Sequence, residues 1–426
     1  MTAYAGATPQ YTGTRPLRRP VTKMAVGFGV AVLPMLRPAG PGNTGGVDVA
    51  LAVVILVTAL WVSSRTQVVR VPYAFPVGLS VAAGALAGTV HHAGLLALAQ
   101  DIFVLCCAAA VANLGRDADL LDTLAKAWAY SATVWAAAMT IGVVTGVSWL
   151  AGTSARDGTR AAFTLGDPNL AADYFLVALL VMRACQRPRR RLWRTLACAV
   201  VVTAIILTLS NGGILALGVA TVVGWAFGAV RRQRTALAVA AVCLVGLGGV
   251  VAASTIDFTS LADHAKQSSP MLRDSLGRES ESGGSRSTLF AETSGLWLHG
   301  DSLIGLGPGQ VEPALRRQQA PYVKESHDDY LAALTERGVL GGTALILLLA
   351  GLVVRCRRIS RSGALSDRYA AVVPRPELLA AAVVALACSG WFYEVLHFRH
   401  VWALFGLIAA VDLWGRRTSP ERRNEP

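Results

Sequence analysis

Residues 329–354 read DYLAALTERGVLGGTALILLLAGLVV. After Arg337 no charged side chain appears for seventeen residues, until Arg355. A helix rises about 1.5 Å per residue, so a run of this length is matched to the roughly 30 Å hydrocarbon core of a bilayer. Similar blocks recur outward from it in both directions. We place spans at 24–38, 47–63, 72–90, 93–112, 127–150, 169–184, 192–209, 211–230, 235–253, 329–354, 377–395 and 399–414. The fold class is therefore all-α, a polytopic membrane protein with about twelve transmembrane helices.

Composition points the same way. Hydrophobic side chains make up 54% of the 426 residues, before 42 glycines are added, and only 15% are charged. A soluble domain carries about 45–50% apolar residues with glycine included and about 25% charged, so it could not cover this much apolar surface. Soluble enzymes, disordered chains and disulfide scaffolds are disfavoured. The net charge of +13 reads as topology rather than nucleic-acid binding, because arginine and lysine concentrate in cytoplasmic loops. With the N-terminus inside, 27 of the 39 basic residues fall on inner segments. The expected organisation is a cytoplasmic tail 1–23 without a cleavable leader, spans 24–253, an outer segment 254–327 between spans nine and ten, spans 328–415, and a cytoplasmic tail 416–426. Trp149 and Trp391 at outer ends, and Trp61, Trp193 and Trp414 at inner ends, suit interfacial belts.

The outer segment is the single large stretch outside the spans. We expect amphipathic helices at 288–299 and 310–320, with Leu289, Phe290, Leu296 and Trp297 available to the membrane surface. All seven histidines, His91, His92, His264, His299, His327, His397 and His400, fall on the outer side or its membrane edge. No cysteine lies in an outer loop, so no disulfide is expected. There is no P-loop, HExxH, CxxC or dinucleotide fingerprint, so neither metal nor cofactor is expected. Asp117-Ala118-Asp119 in a short inner loop reads as a chance DxD. Asp101, in mid-span, is read as a buried, hydrogen-bonded carboxyl, and Asp173 as an anion suited to a helix N-terminus.

The densest polar pattern lies where the outer segment enters the tenth span: Ser326-His327-Asp328-Asp329-Tyr330, then Glu336-Arg337-Gly338 and Gly341. Ionisable groups at a membrane edge are costly and mark function. Ahead of them come Arg286 and the run Gly305-Leu306-Gly307-Pro308-Gly309, whose glycines would let backbone amides approach an anionic or sugar ligand.

His327, Asp328, nine residues, Gly338, two residues, Gly341 resembles the signature of the O-antigen ligase and O-antigen polymerase superfamily. Gly166-Asp167-Pro168-Asn169 resembles its outer loop before a span, Ser210-Asn211-Gly212 its Ser-Arg-Gly turn, and Arg286 through Gly309 its arginine-to-glycine segment. Arg399-His400-Val401-Trp402 also resembles its closing run. The resemblance covers about residues 160–415. It implies a GT-C-like helical membrane fold and a metal-independent, inverting glycosyltransferase. Such an enzyme moves a glycan from a polyprenyl-diphosphate carrier (undecaprenyl diphosphate) to an acceptor hydroxyl on a glycan or lipoglycan, at the outer face of the cytoplasmic membrane. Membrane lipids are the other partner implied, and nucleic acid is not.

A histidine suits proton abstraction at neutral pH, and a guanidinium can meet charge on a leaving diphosphate without a metal. His327 is therefore the expected base and Arg286 the expected diphosphate contact, with Asp328 or Glu325 orienting the imidazole. Arg160, Asn169, Asn211, Gly305, Gly307, Gly309, Asp328, Arg337 and Arg399 are the expected substrate contacts. Two positions depart from the family pattern: Asn211 stands where arginine is usual, and Asp328 where asparagine is usual. Arg160, or Arg316 with Arg317, is a candidate to replace the missing charge. The competing class is a transporter or flippase of a lipid-linked glycan, and a third is a non-catalytic member of the fold. A transporter would place its polar groups at mid-membrane on broken helices in two matching halves. Here they gather at one face and no internal repeat is seen.

Overall fold

A computed structural model describes residues 19–37, 44–91, 94–153, 159–232, 287–300 and 302–417. The described residues are helical and contain no strand, only one isolated bridge between Leu365 and Arg416. In order, the helices are α1 (Arg19–Ala31), α2 (Gly46–Ser63), α3 (Ala74–His91), α4 (Leu95–Leu114), α5 (Ala118–Thr145), the single turn α6 (Ser148–Ala151), α7 (Pro168–Cys185), α8 (Arg191–Leu207) and α9 (Asn211–Arg231). They continue as α10 (287–299), α11 (Val311–Arg317), α12 (Asp329–Ser360), α13 (Asp367–Val372), α14 (Glu377–Ser389) and α15 (Arg399–Trp414). Six of them, α2, α4, α5, α7, α9 and α12, are long and apolar enough to cross a membrane. The expected ninth span, 235–253, lies outside the described residues.

Local chemistry sets the helix ends and moves several from their expected places. α5 begins nine residues before the expected span because Asp117 caps it, accepting from the Asp119 amide at 2.9 Å. The DxD pair is thus a helix cap, and Arg19 neutralises it at 2.8 Å and 2.6 Å. α5 stops at Gly146, which takes the left-handed conformation. α7 opens with Asp167 as cap and Pro168 in the first turn. α14 ends at Ser389, short of the expected 395, because 390–398 forms a turn tied to α12.

α7 and α15 are the most enclosed helices, packed among α4, α5, α8, α9, α12 and α14. Trp61 is buried in the core rather than interfacial, whereas Trp149, Trp193 and Trp391 are largely exposed. In the segment between α9 and α12, α10 turns Leu289 and Leu296 inward against Val311, Ala314 and Leu315, and Phe290 stays exposed. The expected surface-lying face therefore forms a small core of its own, because α11 offers it an apolar partner.

The two ends of the bundle differ chemically. At one end arginines pair with carboxylates: Arg231 with Glu377 at 2.8 Å, Arg355 with Asp412 at 2.6 Å, and Arg187 with Asp122. At the other end lie Ser326–Asp329, the turn 390–398, and the starts of α7 and α9.

Candidate functional site

The polar end is organised around the first turn of α12. Asp328 is its cap, with Oδ1 accepting from the Tyr330 amide at 2.8 Å and the Leu331 amide at 2.9 Å. Burial pushes the Asp328 carboxyl above the ordinary aspartate range, and the two amides pull it part of the way back. Asp329 ties α12 to the turn before α15: its carboxylate accepts from the amides of Val395 (3.0 Å) and Leu396 (3.3 Å), and its amide donates to the Gly390 carbonyl at 2.9 Å. Ser326 Oγ lies 2.7 Å from Glu394 Oε1 and 2.9 Å from the Asp328 carbonyl.

His327 stands between these anchors with φ 52°, a left-handed conformation costly for a residue with a Cβ. Its ring stacks on Tyr393 (centroids 5.5 Å, interplanar 18°). The stack continues to Phe398 (5.9 Å, 9°) and from there to His400 (6.0 Å, 8°). His400 is buried and bonded to Asp173 of α7 at 2.9 Å. The sequence reading missed this pair and took Asp173 as a helix-dipole anion. The usable signal was an Asp and a His each inside an apolar span, where a lone ionisable group is expensive.

Beside the stack, a cavity of about 130 Å³ runs between α3, α4, α12 and the 390–398 turn, with Ser80, Asp101, Glu336, Arg337, Glu394 and His397 on its walls. Arg337 reaches Asp101 at 2.7 Å and Ser80 Oγ at 2.5 Å. Asp101 is thus salt-bridged and only partly buried, and the partner comes from a helix distant in sequence.

The glycine run makes a backbone seam. Gly338 breaks α12 with φ 61°, ψ −162°, a region open essentially to glycine alone. The groups freed by the break are met by the loop: Val339 N–H donates to the Ser302 carbonyl (3.1 Å), Leu306 N–H to Thr335 (2.9 Å) and Gly307 N–H to Glu336 (2.9 Å). A Cβ on Gly305 would stand 2.6 Å from the Arg337 and Gly338 amide nitrogens. Gly305, Gly307 and Gly309 all have positive φ, and at Gly305 the close packing of loop against helix leaves no room for a side chain.

Three further expected residues meet close by. Arg160 donates from Nε to the Thr208 carbonyl (3.0 Å) and from Nη2 to Asn169 Oδ1 (2.9 Å), while Ser210 Oγ donates to the same Asn169 oxygen (2.8 Å). Asn211 follows as the exposed first residue of α9. Arg316 pairs with Glu312 on the surface of α11 at 2.7 Å. Arg399 sits apart from this cluster, buried, with a two-pronged bridge to Asp48 of α2 (2.8 Å and 2.9 Å). Arg286 lies outside the described residues. Among the described residues, no group of three or more His, Cys, Asp or Glu is placed to hold a metal ion.

A bundle of helices with six of membrane-crossing length, and a His-, Arg- and carboxylate-rich site at one end, defines a polytopic membrane protein. Residues 196–346 match a family model described as O-Antigen ligase. That match runs from α8 through the first half of α12, includes His327, Asp328, Gly338 and Gly341, and supports the O-antigen ligase and polymerase superfamily. No curated protein matches the chain.

Proposed function

We propose that this protein is a metal-independent, inverting glycosyltransferase. It would transfer a glycan from a polyprenyl-diphosphate carrier to an acceptor hydroxyl, on another glycan or a lipoglycan, at the outer face of the membrane. The observation that carries the reading is the family match over 196–346, inside which His327 is held out at the head of α12 against Tyr393.

In this reading His327 takes the acceptor proton as the hydroxyl oxygen attacks the anomeric carbon. The bond to the diphosphate oxygen breaks on the opposite face, so the configuration inverts. Arg286 meets the charge developing on the leaving diphosphate. Arg160 and Asn169, joined to Ser210, form a polar ledge beside Asn211 that suits donor hydroxyls or phosphate oxygens. Asp328 acts through the backbone as the cap that fixes where His327 stands, while Arg337 sets the charge of the adjoining cavity. The glycines act indirectly, by holding the loop against the break in α12.

The test is transfer from a polyprenyl-diphosphate glycan in membranes containing wild-type protein or His327→Ala. Loss of a general base costs about 10²–10⁴-fold, and EDTA should leave the wild-type rate unchanged. Undiminished transfer by His327→Ala would remove the base assignment. Loss of wild-type transfer in EDTA would remove the metal-free mechanism.

A further inference from the structure

A second cavity, of about 470 Å³, opens at the opposite, arginine-rich end between α9, α12 and α14. Its walls are apolar, with Phe227, Val230, Val353, Val383 and Val384 among them. Phe227, Val230 and Val353 are 41%, 46% and 55% exposed, so the groove opens outward rather than forming a sealed void. The rim is cationic. Arg231, Arg357 and Arg361 line it, and they are not equivalent. Arg231 is held by Glu377 (2.8 Å) and the Pro374 carbonyl (2.9 Å).

On α12 the arginines divide by face. Arg355 and Arg358 turn toward Asp412 (2.6 Å and 4.0 Å). Arg357 and Arg361, one turn apart on the groove side, are exposed and have no carboxylate partner among the described residues. Ser360, between them, also lines the groove, and its hydroxyl is buried without a hydrogen-bond partner. A groove with an apolar floor and, at its mouth, two guanidiniums without a carboxylate partner among the described residues complements a molecule with an anionic head and a long apolar tail.

We propose that this groove holds an anionic phospholipid, its phosphate on Arg357 and Arg361, and one acyl chain along the wall formed by Phe227, Val230, Val353 and Val384. The site lies at the other end of the bundle from His327 and is independent of the glycosyl-transfer reading. Headgroup charge sets the preference, and the apolar groove supplies the remaining affinity.

The full-length protein, purified in a neutral detergent, is titrated with phosphatidylglycerol, phosphatidylcholine or inorganic phosphate, and bound lipid is counted by native mass spectrometry. Phosphatidylglycerol should be retained over phosphatidylcholine by roughly thirty-fold, about five-fold for each guanidinium. Arg357→Ala/Arg361→Ala should bring that ratio close to one. Val353→Trp, a substitution at an exposed groove position, should reduce retention of both lipids with the arginines intact. Millimolar inorganic phosphate should not displace the lipid. Equal retention of the two lipids by the wild type, an unchanged preference in the double-arginine variant, or displacement by phosphate alone would each overturn the proposal. The last would mark a free-anion site instead.

Discussion

His397, in the turn between α14 and α15, lines the cavity beside Arg337, and its imidazole is held down at about 4. Burial is the main cause, and the charges of Arg399 and His400 add to it. An unfolded histidine titrates near 6.5. Between those two values the unfolded chain binds the proton and the folded protein does not. Stability from this group is therefore complete above about pH 6.5 and falls by up to roughly 1.4 kcal/mol per pH unit as the pH drops toward 4. The raised Asp328 carboxyl works in the opposite direction and loses stability as pH rises. The comparison must therefore be the difference between two proteins. Thermal unfolding of His397→Gln in detergent from pH 7 to pH 4 should show a shallower acid loss than wild type, and parallel curves would rule the assignment out. At this scale the sequence exposed His327 by its motif but hid its ring partner. Tyr393 lies sixty-six positions away, and only the turn pinned by Asp329 brings it over. Asp101 and Arg337 were each visible as costly membrane residues, but their pairing depends on α3 packing against both α4 and α12.

Among the elements, α12 carries the most information. It spans 32 residues, yet Gly338 interrupts it six residues after Ala332, and the loop 302–307 fills the interruption with its own backbone. Unpaired amides at this depth cost several kcal/mol each, so a break is tolerated only where another segment satisfies it. Alanine at 338 would force a conformation reserved for glycine and drive its Cβ into the Leu303 carbonyl. We expect Gly338→Ala to cost about 2 kcal/mol or more in stability. Gly309→Ala, where nothing lies within 4 Å, should cost only about 1 kcal/mol for its positive φ. Melting temperatures of the two variants in detergent check the order, and equal losses would show that the seam is unimportant. In the sequence the glycines around 305 and Gly338 looked like separate features, one a ligand cradle and one a motif position. They are two halves of one backbone junction. No local pattern could show that, because the hydrogen bonds run between residues 29 to 37 positions apart.

At the scale of the molecule, the separation of chemistry to two ends has a direct consequence for orientation. Positive-inside counting predicts that the arginine-rich end faces the cytoplasm, which would leave the His327 end facing outward. A membrane-impermeant thiol reagent on intact cells should modify Glu325→Cys at once and Ser362→Cys only after permeabilisation, each scored against the unsubstituted chain. The reverse pattern would invert the topology and move the proposed reaction to the inner face. Apolar block length and low charge determined by themselves that this is an all-helical membrane protein, because burial in lipid depends on composition and helix rise alone. The His-to-glycine spacing likewise marked the region that matches the O-Antigen ligase model. Tertiary structure alone decided which polar groups are partners: Asp48 with Arg399, Asp173 with His400, Asp101 with Arg337, and the glycine loop with the break in α12. A charge within an apolar helix must find its counter-charge on whichever helix packs beside it, and helix packing is a property of side-chain surfaces in three dimensions.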